Sequence, residues 1–167
     1  MEDIDGRKAS GNLLGAYIRQ SPRAAGALFF GTLALVVQHF VWYPDARMSG
    51  LAPILTITVA LCHAIAGAMI GPRLVDGTRT STASRAALLG AVTSLLALVL
   101  FAFLFSAYLF ATNIRPVGPL SYVTLPFWTA LFAFLADGWA LCLVSMGVGW
   151  ALNRLAVRQG MAGGHGV

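Results

Sequence analysis

The strongly polar residues that could do chemistry in this chain are few, and they lie where chemistry is expensive. Asp137 is one of six acidic residues in 167 and stands alone among them in falling inside a long apolar run. Apart from Arg85 at the very start of one run, Gln38, His39 and His63 are the other strongly polar side chains within such runs. A carboxylate at the centre of a membrane helix costs about 2.5–3.5 kcal/mol on insertion scales, so it needs a partner or a task. Counting inward from Pro53 and Pro126, His63 is 10 residues deep and Asp137 is 11. At 1.5 Å per residue both lie about 15 Å in, near the middle of a bilayer. This predicts that His63 and Asp137 meet. Two kinds of chemistry would follow: a hydrogen bond that pins two helices, or a site that handles a proton, an ion or a substrate.

Intramembrane histidines can also ligate haem b. His39 lies 4 residues from the end of its run at Tyr43, about 6 Å deep against about 15 Å for His63. Two axial ligands on near-parallel helices should share a level, so the depths argue against a shared haem. His39 reads instead as an interface residue bonded to water or backbone. Cys62 and Cys142 sit in apolar runs with no C-x-x-C spacing, which supports neither a metal site nor a redox site. There is no phosphate-cradling loop, no G-x-S-x-G and no H-E-x-x-H. No catalytic residue, metal or cofactor is assigned, and the chain does not read as an enzyme.

The elements that must hold these residues are set by composition. The chain is 58% hydrophobic and 10% charged, with a mean hydropathy of +0.78, whereas soluble domains carry roughly 25% charge. Apolar runs cover residues 24–43, 53–71, 85–111 and 126–152. Each is near or above the roughly 20 residues a helix needs to cross hydrocarbon, and none alternates with period two as a barrel strand would. The fold class expected is all-α: an integral membrane four-helix bundle. Residues 1–23 form an arm, 24–152 the membrane domain, and 153–167 a tail expected to be disordered. Within the arm, Leu13, Leu14, Tyr17 and Ile18 fall on one helical stripe, so a short interfacial helix is expected there. All seven prolines are read at segment ends or between segments: Pro22 at the first position of span one, Pro126 opening span four, Pro72 stopping span two.

Helices in lipid associate through small residues that let backbones approach. Span one carries Ala27, Gly31, Ala34 and Gln38 on one face; span two carries Thr56, Ala60, His63, Gly67 and Gly71. Span three offers Ala86, Gly90, Thr93 and Ala97 before turning bulky at Phe101, Phe103 and Phe105. Span four carries Ala130, Phe134, Asp137, Leu141, Ser145 and Gly149. Gly31, Gly67, Gly71 and Gly90 are the packing glycines expected.

The net charge of +5 is distributed by side rather than by patch. Arg7, Lys8, Arg19, Arg23, Arg73, Arg79, Arg85, Arg154 and Arg158 fall on one side, and Arg47 and Arg115 on the other. The positive-inside rule then places both termini in the cytoplasm, and no nucleic-acid signature accompanies the charge. High Ala, Gly and Arg with short arms suggest a bacterial plasma membrane. Three functions fit: an accessory, assembly or structural subunit packing against itself or other membrane proteins; a small oligomeric transporter or channel component using Asp137 and His63; or a redox subunit holding haem b or quinone. The bilayer is a partner in all three. Reporter fusions at Gly50 and Val117 should report the outer side and those at Gly77 and Gly160 the cytoplasm. A protease-accessible N-terminus on the outer face would overturn this topology.

Overall fold

The computed structural model describes residues 13–42, 52–75, 83–112 and 118–163. The described residues are helical almost throughout, with six helices and no strand among them. Helix α1 covers residues 13–20, followed by α2 (Pro22–Trp42), α3 (Ala52–Val75), α4 (Ala83–Thr112), α5 (Ser121–Ala133) and α6 (Trp139–Gly163). A π-helical turn, Phe134–Gly138, joins α5 to α6 without a break. Four stretches are long and apolar enough to cross a membrane: Pro22–Phe40, Ile54–Val75, Ala83–Thr112 and Trp139–Val157. Their outward surface is apolar, with Leu61, Ile65, Met69, Leu88 and Leu95 all exposed. That is the reverse of a soluble bundle, whose outer faces are charged.

Two hairpins make the bundle, α2 against α3 and α4 against α6, and glycine holds each together. A β-carbon on Gly26 or Gly67 would strike the other residue's carbonyl, and one on Gly71 would strike the carbonyl of Pro22. In the second hairpin a β-carbon on Gly90 would strike the Ser145 carbonyl, and one on Gly149 would meet that of Ala86. Backbone touches backbone at all five positions. Gly31 is buried too, with a β-carbon falling 3.1 Å from that of Ala64. These contacts gather the start of α2, the end of α3, the start of α4 and the end of α6 at one end of the bundle, the glycine end. There Ile18, Ala25, Phe30, Ile70, Leu74, Ala86, Leu152 and Ala156 form the largest buried apolar cluster.

The glycine end is also tied by polar groups. Asn153 Nδ2 donates to the Leu74 carbonyl at 3.0 Å, satisfying one of the last carbonyls of α3, which have no intrahelical donor. An Arg19 guanidinium N–H donates to the Ala156 carbonyl at 2.8 Å, so α1 is clasped to α6. In α1, Gly15 and Ile18 face the bundle while Leu13, Leu14 and Tyr17 stay exposed. Gly15, which by propensity weakens a helix, is buried here.

Helix boundaries differ from the sequence expectation in three places. Pro72 does not stop α3, which continues to Val75 with the proline inside it. Pro126 does not open the last long helix, which starts at Ser121 after a turn in which the Ser121 amide donates to the Gly118 carbonyl at 3.0 Å. A proline removes one helical hydrogen bond, a loss that these long helices absorb near their ends. The last helix continues to Gly163, through much of the tail expected to be disordered, with Leu152, Asn153 and Ala156 buried. From Ser121 to Gly163 it measures roughly 65 Å, about twice the hydrocarbon thickness.

Two glycines on α6 provide a sign-opposed test. Gly149→Ala should lower thermal stability in detergent by roughly 1–3 kcal/mol, because its β-carbon must displace backbone. Gly147 has open space around it, so Gly147→Ala should leave stability unchanged or raise it by up to about 1 kcal/mol through helix propensity. Gly67→Leu should behave like the first, and Leu100→Ile, on a bulky stretch, should cost much less than Gly67→Leu. Equal effects at Gly147 and Gly149 in melting curves would contradict this packing.

Candidate functional site

Away from the glycine end the two hairpins part. The reason is side-chain size. On α4 the buried face runs through Ala86, Gly90, Thr93, Ser94 and Ala97, and then Phe101 and Phe105 take the next positions on that side. Beyond that level α4 buries Ala102 and Ser106 instead. Helix α5 packs on α4, with Phe110 and Tyr122 ring centroids 4.9 Å apart, and makes no comparable contact with α2 or α3 among the described residues. A pocket of about 350 Å³ opens between the hairpins. Its walls include Leu55, Val59, Leu98, Phe101, Phe105 and Phe132, and its polar lining is Gln38, Thr56, His63 and Thr129.

His63 stands where the closed and open halves of the bundle meet, and it is 2% exposed. Its Nδ1 lies 2.9 Å from the Val59 carbonyl oxygen, and its Nε2 lies 3.0 Å from Ser94 Oγ. A carbonyl can only accept, so Nδ1 carries a hydrogen and donates it. In the neutral ring Nε2 is then the acceptor, and the Ser94 hydroxyl donates to it. Ser145 Oγ donates to Ser94 Oγ at 3.3 Å. The result is a directed chain, Ser145 to Ser94 to His63, drawn from α6, α4 and α3. If the ring takes a second proton, Nε2 becomes a donor and the Ser94 hydroxyl need only rotate to accept. The same heavy-atom positions serve both charge states.

The sequence residues distribute as follows. Gln38 is 3% exposed and lines the pocket beside His63. His39, the next residue and on a different face of α2, is exposed and meets the Phe40 ring edge-on, with centroids 5.9 Å apart. Asp137 belongs to the π-helical turn, flanked by the pocket residues Ala133, Ala136 and Leu141. Its side chain lies outside the described part of the structure, so the expected pairing with His63 is neither made nor denied. What the spacing did not suggest is the serine chain. Ser94 and Ser145 are ordinary helix residues by sequence, and only the α4–α6 register brings them to one imidazole.

The π-turn was equally invisible. Such turns occur mostly as single bulges and are frequent at functional sites. Here Gly138 accommodates it, since a β-carbon there would crowd the Ala133 carbonyl at 3.2 Å. No family model, curated protein or solved structure matches this chain.

A double-mutant cycle on His63→Ala and Ser94→Ala should show a coupling of about 0.6 kcal/mol and no more than about 1.7, the range for polar pairs between membrane helices. Ser145→Ala should cost less stability than Ser94→Ala, because Ser94 is the node of the chain. Strict additivity in the cycle would mean that the His63–Ser94 bond carries no net stability.

Proposed function

We propose that this is a multi-pass membrane protein that holds a small molecule in the wide half of its bundle, with His63 and Gln38 forming the polar floor. One observation carries the reading: the pocket of about 350 Å³ ends on the one buried histidine of the described bundle. Ligand sites are typically apolar clefts with a few convergent polar groups, and polar residues at membrane depth mark pathways and binding sites. The charge distribution supports a cytoplasmic glycine end, which would open the pocket toward the outer half of the membrane. Within this reading Asp137 and His63 are the groups that would move or bind a proton, as in a transporter component.

The accessory-subunit reading drew on the abundance of small-residue faces. Those faces are largely spent inside the molecule: Gly26, Gly67 and Gly71 in one hairpin, Gly90 and Gly149 in the other. They leave little for a partner helix to grip. For a shared haem, His39 and His63 face different surroundings, and both ring nitrogens of His63 already have hydrogen-bond partners.

Native mass spectrometry after gentle extraction tests the proposal. The wild-type chain should carry a small-molecule adduct at one per chain, and Ala133→Phe, which fills the pocket, should lose it while melting normally. A wild-type chain that travels bare with a stoichiometric unrelated subunit would overturn the proposal in favour of the accessory role.

A further inference from the structure

We infer that the pocket's occupant is a neutral, lipid-soluble molecule with a ring-sized head bearing one carbonyl or hydroxyl group, and that it enters sideways from the bilayer between α3 and α5. The inference rests on the pocket reading above and adds the chemistry of the ligand and its route.

The route follows from what α5 does not touch. It packs on α4 and leaves its other flank without comparable contact to α2 or α3 among the described residues. Phe132 lines the pocket and is 65% exposed, so a residue of the pocket wall is also a residue of the outer, apolar surface. Leu135 beside it is 63% exposed, and Ile54 and Ile57 on α3 are 61% and 55% exposed. The mouth is therefore framed by side chains that a bilayer would cover, and a molecule dissolved in the bilayer meets it without crossing a polar layer.

The head chemistry follows from the lining. Among the described pocket residues His63 is the one ionisable side chain, and both of its ring nitrogens already have hydrogen-bond partners. A phosphate or ammonium head would lose its hydration and meet, in the described lining, only an imidazole already bonded at both nitrogens, a penalty of several kcal/mol even after relaxation. A single carbonyl or hydroxyl group needs one hydrogen bond, which Gln38, Thr56 or Thr129 can give or accept. Phe101, Phe105 and Phe132 supply flat apolar walls suited to a ring. The volume of about 350 Å³ takes a substituted ring but not a whole phospholipid. The rest of a longer molecule would lie along the α3–α5 gap.

The test uses the full chain in phosphatidylcholine nanodiscs with four probes sharing a decyl tail: decylubiquinone, 4-decylphenol, decyl phosphate and decyltrimethylammonium. The two neutral probes should raise the unfolding temperature by about 3 °C or more and should not do so in Ala133→Phe. The two charged probes should shift neither. Phe132→Ala, which widens the mouth, should speed binding of 4-decylphenol several-fold in stopped-flow measurements of tryptophan fluorescence. Binding of either charged probe as tight as the neutral ones, or an unchanged rate in Phe132→Ala, would overturn this inference while leaving the pocket reading intact. If none of the four probes binds and the wild-type chain shows no adduct in native mass spectrometry, the pocket reading falls with it.

Discussion

Backbone-to-backbone contact at glycine is the constraint on which the rest of this bundle depends. In a bilayer, apolar side chains gain little by leaving lipid for one another, so helices hold together by how closely they approach. Gly26 against Gly67, Gly71 against Pro22, and Gly90 with Gly149 against Ser145 and Ala86 bring two hairpins to near the closest approach their backbones allow. All of these contacts lie toward one end. The large buried cluster of Ile18, Phe30, Leu74 and Leu152 sits there as well, together with the Asn153 and Arg19 hydrogen bonds. A bundle fastened at one end and filled with phenylalanine at the other must taper. The pocket is the space that the taper leaves.

The polar residues take their places within that taper. A buried polar group is tolerated when its hydrogen bonds are made, and the partners must be close enough to make them. Ser94 and Ser145 are small residues on the tight side of the junction, so α4 and α6 come near enough for both hydroxyls to reach the level of His63. Further out, Leu141 one turn from Ser145 and Phe101 two turns from Ser94 would hold any such partner away. The imidazole is thus bonded to Ser94 on its closed side and to the Val59 carbonyl of its own helix, and it lines the pocket.

The composition, the run lengths and the small residues at helical spacing made four apolar helices and most of their inner faces legible. Gly31, Ala34 and Gln38 on α2, Ala60, His63, Gly67 and Gly71 on α3, and Gly90, Thr93 and Ala97 on α4 are all buried. Gly26 was missed because the face was drawn through Ala27. With two small residues adjacent, periodicity cannot say which one meets the neighbour. Pro72 and Pro126 misled for a different reason. Proline forbids one hydrogen bond, not a helix, and a long helix can spare one. Which helices pair was not readable either, because every span has a small face and pairing depends on matching those faces in three dimensions. The serine chain at His63 follows from that pairing and was hidden with it.

The π-turn shows how the two halves share one helix. Below it, Leu141, Ser145 and Gly149 are buried at every fourth position, the regular face of a helix in close contact. Above it, Thr129 and Ala133 are half-buried and border a cavity. Five residues, Phe134–Gly138, carry the change. A π-turn widens the helix locally and exchanges i→i+4 bonds for i→i+5, which suits a level where neighbouring backbones no longer press on every side. On the tight side the same widening would push Gly149 and Ser145 out of register with Ala86 and Gly90. The irregular turn is therefore compatible with the bundle at the junction and beyond it, and Asp137, the acidic residue of the four apolar runs, is carried by that turn.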